Sequence, residues 1–177
     1  MSSPQPGAPA AEPLAGRCRT HDAVPVEIQL LEPSANLGLT ELLVTPGLVD
    51  EHARELFLYA QCEVLALCLR EFTGWPLWAA EQQLPDGRWN WAHVGVRTPA
   101  GRWLDIEGPR AVEDVTGWLA SWGLPTRARV MDGAAWNVML GRPPATPAAW
   151  WRTRVTTPAG IELAEVFARA LLRVAER

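Results

Sequence analysis

Three residues of this chain have types and an order that could do chemistry together: Cys62, His93 and Asp105. A thiol works as a nucleophile once its thiolate is stabilised by a neighbouring imidazolium or a helix N-terminus. The imidazole in turn needs a third group that fixes its tautomer and orientation. The other two cysteines lack such a setting. Cys18 falls in or next to a stretch expected to be disordered, where nothing holds a base beside it. Cys68 is flanked by Leu65, Leu67, Leu69 and Phe72, surroundings that raise a thiol pKa and hide it. Three irregularly placed cysteines make no disulfide framework, and no CxxC or Cys/His cluster has zinc-ligand spacing. No metal and no cofactor is expected.

The elements that must position these residues follow from periodicity. Residues 46–73 have the apolar period of a helix, with Thr45-Pro46 reading as its cap and first position and Gly74 as its end. That run is too long for one helix of a small domain. A break is expected between Tyr59 and Cys62, which makes Cys62 the start of a second helix. From Trp75 to Ile106 the pattern changes to strands and turns: WPLWAAEQQ, PDG, RWNWAHVGVR, TPAG and RWLDI. Residues 24–32 suggest a short edge strand, residues 111–123 a helix, RARVM a further strand, and IELAEVFARALLRVAER (residues 161–177) an amphipathic helix capped by Thr157-Pro158. Residues 141–158 are Pro-rich and irregular, and Trp150 and Trp151 there would be exposed aromatics available to a partner. The class is α+β, a nucleophile helix packed on an antiparallel meander with flanking helices. Residues 1–23 form a Pro/Ala/Gly-rich disordered tail and residues 24–177 a single domain.

The register of the central hairpin decides whether His93 and Asp105 can meet. Val94 and Val96 on one strand and Leu104 and Ile106 on the next share a core face only if Leu104 lies across from Val96. A plain two-residue turn through Pro99-Ala100 would put them on opposite faces. A type I turn with Gly101 as a left-handed bulge supplies the missing residue. Asp105 then faces Gly95 and lies one diagonal step, about 7 to 8 Å, from His93. Glu107 falls opposite His93 as a competing partner. By alternation Trp89, Trp91 and Trp103 join the His93 face as candidate substrate-binding residues, together with Glu107.

With these residues in place the chain resembles the transglutaminase-like division of the papain-like cysteine enzymes. AQCEVLALCLREFTGWPLW is similar to their nucleophile helix and its exit. AHVGVRTPAGRWLDIEG is similar to their His strand, turn and aromatic-flanked Asp strand. The resemblance covers about residues 57–108. It implies a papain-like catalytic triad with Cys62 as nucleophile, His93 as general base and acid, and Asp105 as orienting residue. Ala60 stands where a Gly would more readily allow the sharp approach to the nucleophile helix. The Arg-Gly-Gly run of arylamine acetyltransferases, which share the residue order, is absent.

Composition narrows the class of activity. A hydrophobic content of 48%, a charged content of 20% and a net charge of -4 describe an ordinary globular chain with no global attraction to nucleic acid or acidic membranes. All 16 basic residues are Arg, which coding bias explains and selection against self-modification would explain more sharply. No signal peptide is evident in MSSPQPGAPAAEPLAG and no run of apolar residues suits a membrane span, so a reduced, cytoplasmic location is expected. The expected function is a thiol hydrolase or acyltransferase acting on an amide or acyl bond of a peptide or protein through a thioester. The alternative is a non-catalytic peptide-binding module on a degenerate form of the same fold.

Overall fold

The computed structural model describes residues 12–13, 23–153 and 157–175. Cys18 and nearly all of the expected tail lie outside the described residues. Among the described residues the fold is α+β. A five-stranded antiparallel sheet is ordered β8-β7-β6-β5-β9, from Gly108–Arg110, Trp103–Asp105, Trp89–Arg97, Leu77–Gln83 and Thr126–Met131. A hairpin of β2 (Val26–Gln29) and β3 (Glu41–Val44) and a short pair of β1 (Glu12–Pro13) and β4 (Leu48–Val49) complete the strands. The helices are α1 (Glu51–Arg54), α2 (Cys62–Thr73), α3 (Val112–Ala120), α4 (Gly133–Met139) and α5 (Pro158–Ala175), with a 3-10 helix at Ala148–Thr153.

The first helix starts five residues later than the Thr45-Pro46 pair suggests. Pro46 and Gly47 make a turn instead, with Gly47 at φ 80° and Leu48 N–H bonded to Thr45 O at 3.1 Å. Asp50 is the true cap, its side chain accepting from Ala53 N–H at 2.8 Å. The expected break before Cys62 is present and has a physical cause. Glu55–Ala60 winds as a π-helix, and Gln61 N–H reaches back five residues to Leu56 O at 2.6 Å. Gln61 then leaves helical geometry at φ -134°, ψ 38°, and α2 begins at Cys62 with a new direction. Buried Glu55 braces this turn by accepting from the backbone N–H and the side-chain amide of Asn36, both at 2.9 Å.

Two cores sandwich the large sheet. On one face α2 and α5 bury Val64, Leu65, Leu69, Phe167 and Leu171 against Leu77, Val94, Val96 and Leu104. On the other face α3 lays Val115 and Leu119 over Ala80 and Trp103, and Gln82 donates to Leu119 O at 2.9 Å. Trp151 is buried in the first core, and half-buried Trp150 donates to Asn137 Oδ1 at 3.0 Å under the Arg142 guanidinium. Neither is the free surface aromatic that a Pro-rich loop suggested, because the loop folds into the 3-10 helix and packs.

The hairpin has the register its apolar pattern requires. Val96 pairs with Leu104 and Arg97 with Trp103. Thr98 N–H bonds to Arg102 O and Gly101 N–H to Thr98 O, with Gly101 left-handed at φ 74°. Gly95 faces a tighter constraint. A Cβ there would lie 2.6 Å from Leu104 O and 2.5 Å from the Trp103 indole nitrogen. Gly95→Ala is therefore expected to cost about 2 kcal/mol as an overpacking substitution, read as a fall in melting temperature. A variant as stable as the parent would mean the Trp103 indole is not pinned there.

Candidate active site

Asp105 is the centre of the site, and it is 2% exposed. Its Oδ2 accepts three hydrogen bonds: from His93 Nε2–H at 2.8 Å, from Trp103 Nε1–H at 2.9 Å and from Arg110 Nη2–H. Its Oδ1 accepts from Glu107 N–H at 3.0 Å. Burial alone would push the Asp105 carboxyl up, but the His93 and Arg110 donors outweigh it and hold it at about 2. The sheet builds this arrangement directly. Trp103 and Asp105 project from the same face of β7, and β8 places Arg110 opposite Trp103, one diagonal step from Asp105.

His93 is fully buried between aromatic rings. Trp103 stacks on it with centroids 5.7 Å apart, and Trp118 of α3 meets it edge-on at 5.6 Å. With Nε2 on Asp105, its Nδ1 is buried and has no hydrogen-bond partner among the described residues. That nitrogen is the one left to exchange a proton.

Cys62 opens α2 and is buried in the α2–α5 core, whereas Trp103 belongs to the α3 core. The paired residues of β6 and β7 end at Val96 and Leu104. Thr98 N–H points to β7, so by alternation Val94 N–H points the same way, past the end of the ladder. The backbone N–H groups of Val94 and Glu63 act on the Cys62 thiol and partly offset the cost of its burial. Cys62 is 5% exposed. Burial pushes its thiol well above the usual cysteine range, and the charges of Glu63 and Asp105 push it further. The Glu63 carboxyl lies 3.9 Å from the sulfur and is itself raised by burial to about 7.

Of the residues the sequence singled out, His93, Trp103 and Asp105 meet directly, and Cys62 lies near enough to Asp105 for the carboxylate's charge to act on its thiol. Trp89, Trp91 and Glu107 are placed elsewhere. A β-bulge leaves Ala92 unpaired, since Ala80 pairs with His93 and Glu81 with Trp91. The bulge reverses the alternation, so Trp91 packs into the α2 core against Trp136 at 5.6 Å and Ala92 joins the α3 side. Trp89 shares Trp91's parity and lies under the Arg127 guanidinium at 4.1 Å. Glu107 does not compete for His93, because Arg54 of α1 takes its carboxylate at 2.7 Å. Sequence reasoning missed Arg110, Glu63 and the aromatic group of Tyr59, Trp118 and Trp122. Tyr59 meets Trp118 edge-on at 5.7 Å and stacks with Trp122 at 6.2 Å. The four-residue spacing of Trp118 and Trp122 in a helical segment was their available signal. Among the described residues no group of His, Cys, Asp and Glu could hold a metal ion, and no helix is long and apolar enough to cross a membrane.

Two substitutions test this geometry. Glu63→Gln removes a negative charge beside the thiol, so Cys62 is expected to react with iodoacetamide several-fold faster at pH 8, where the carboxyl is otherwise ionised. Cys68 is fully buried, and burial pushes its thiol up to about 12. Cys68→Ala should lower stability by about 1 kcal/mol as a small core truncation, measured by denaturant unfolding, with Cys62 reactivity unchanged.

Comparison with protein-family models, with curated proteins and with solved structures finds no match for this chain.

Proposed function

We propose that this protein is a cysteine-nucleophile enzyme acting on an amide or acyl bond of a peptide or protein. The observation that carries the reading is the buried His93–Asp105 pair, whose free Nδ1 belongs to the strand that also gives Val94 N–H to Cys62. Such a pairing is the Ser-His-Asp logic with a thiol as nucleophile, and the residue order agrees with the transglutaminase-like resemblance.

In this reading His93 Nδ1 takes the Cys62 proton as the sulfur attacks the substrate carbonyl. The resulting oxyanion lies at the start of α2, where first-turn N–H groups lack partners within the helix. Collapse of the intermediate breaks the C–N bond, and His93 returns the proton to the departing amine. A thioester remains on Cys62. Water or a second amine then attacks it, giving up a proton to His93, and the regenerated thiolate recovers that proton. Water makes the reaction a hydrolysis or deamidation, and an amine makes it a transfer. The thiol must stay reduced, which suits a cytoplasmic setting.

A second reading has an observation of its own. The thiol is buried and raised, with a carboxyl beside it, as a non-catalytic peptide-binding module would tolerate. Mass-spectrometric mapping of iodoacetamide labelling separates the two. The enzyme reading expects labelling at Cys62 below neutral pH, slowed at least tenfold in His93→Ala. It also expects Cys62→Ala to keep its melting temperature and lose turnover of any peptide amide or ester the parent cleaves. Full turnover in Cys62→Ala, or a Cys62 that stays unlabelled in the folded parent, favours the binding module.

A further inference from the structure

We propose that Arg110 is a positioning residue of this site, sharing the Asp105 carboxylate with His93 so that less of its charge is left to favour a thiolate–imidazolium pair. The proposal rests on the cysteine-nucleophile reading and adds a fourth member to it. In a triad the orienting carboxylate does two things: it fixes the tautomer of the histidine, and its charge favours the imidazolium once the nucleophile has lost its proton. Here a single oxygen of Asp105 receives His93, Trp103 and Arg110, while the other oxygen receives only the Glu107 backbone N–H. A guanidinium is charged at every working pH. It therefore offsets the carboxylate at the oxygen that faces the imidazole. Asp105 keeps its orienting function and loses much of its power to favour an ion pair.

The placement of Arg110 is built rather than incidental. Its strand pairs through Trp103–Arg110, Leu104–Pro109 and Asp105–Gly108, so the side chain comes off β8 on the Asp105 side. Its side chain is 22% exposed, with Nε buried and without a hydrogen-bond partner. The rest of the charge around the site leaves the effect unopposed. From α2 come Cys62 itself and Glu63, beside the sulfur. From the π-helical turn comes the Tyr59 phenol, and after β7 comes Glu107, already paired with Arg54 of α1. From α3 the ring on His93 is that of Trp118, which is uncharged. Arg110 is the cation that touches the His93–Asp105 pair. Glu63 beside the sulfur and Arg110 on the carboxylate both act against the thiolate–imidazolium pair.

The consequence opposes the usual effect of damaging a triad. Removing the Arg110 charge leaves His93 the one charge-bearing partner of Asp105 among the described residues, stabilises the thiolate–imidazolium pair and makes the resting thiol more reactive. The experiment measures the pH dependence of Cys62 alkylation by iodoacetamide in the full-length parent, Arg110→Met, Arg110→Gln, Arg110→Lys and His93→Gln, with melting temperature recorded for each. Arg110→Met and Arg110→Gln are expected to alkylate about tenfold faster at pH 6, a shift of about one unit in the profile. Arg110→Lys should follow the parent. Gln keeps an N–H for Asp105, so it carries the test if the Met variant does not fold. Met and Gln profiles that superimpose on the parent, or that are slower at every pH, overturn the role of Arg110. A parent profile unaffected by His93→Gln overturns the cysteine–histidine pairing itself, and the two failures are thereby told apart.

Discussion

Asp105 carries its charge in a place where an unpaired carboxylate would cost several kcal/mol, and much of the site is arranged to prevent that cost. His93, Trp103, Arg110 and the Glu107 backbone all donate to it. Trp103 is buried because its indole N–H has this acceptor. Gly95 is without a side chain because Trp103 and the Leu104 carbonyl occupy the space a Cβ would need. Three strands are tied at one carboxylate oxygen, and the ring that the oxygen orients is clamped between two tryptophans. A rigid imidazole with one free nitrogen is the outcome.

The Cys62 side is built on a different principle. A helix interior would have given Cys62 a thiol among carbonyls and apolar side chains. The π-helical turn and the Gln61 break instead restart the helix at Cys62, so the thiol lies in the first turn of α2, where the backbone N–H groups of Glu63 and Val94 act on it. Those donors are set against burial and two negative groups, Glu63 and Asp105, which raise the thiol.

The two faces of the sheet divide the labour. The α2 and α5 face is the larger apolar core and holds α2 in place. The α3 face is smaller and wraps the polar pair in aromatic rings, from Trp118 on His93 outward to Tyr59 and Trp122, the last about half exposed at 51%. The β-bulge at Ala92 makes this division possible, since it lets Trp91 serve the first core while His93 serves the second.

What the sequence by itself determined was local. The apolar alternation of Val94, Val96, Leu104 and Ile106, with the Pro99–Gly101 turn, specified the hairpin register and hence the meeting of His93 and Asp105. The length of the 46–73 run and the cap-like residues around it required a break before Cys62, and α2, α3, β9 and α5 have periods that survive in the structure. What only tertiary structure decided involved partners distant in the chain. A bulge cannot be read from one strand, because it is defined by the partner strand; that is why Trp89 and Trp91 left the His93 face. Glu107 is drawn to Arg54, 53 residues earlier, and a long-range ion pair leaves no mark on local spacing. The β3 and β8 strands are too short to show a period, and without β8 nothing in the sequence placed Arg110 at the Asp105 oxygen.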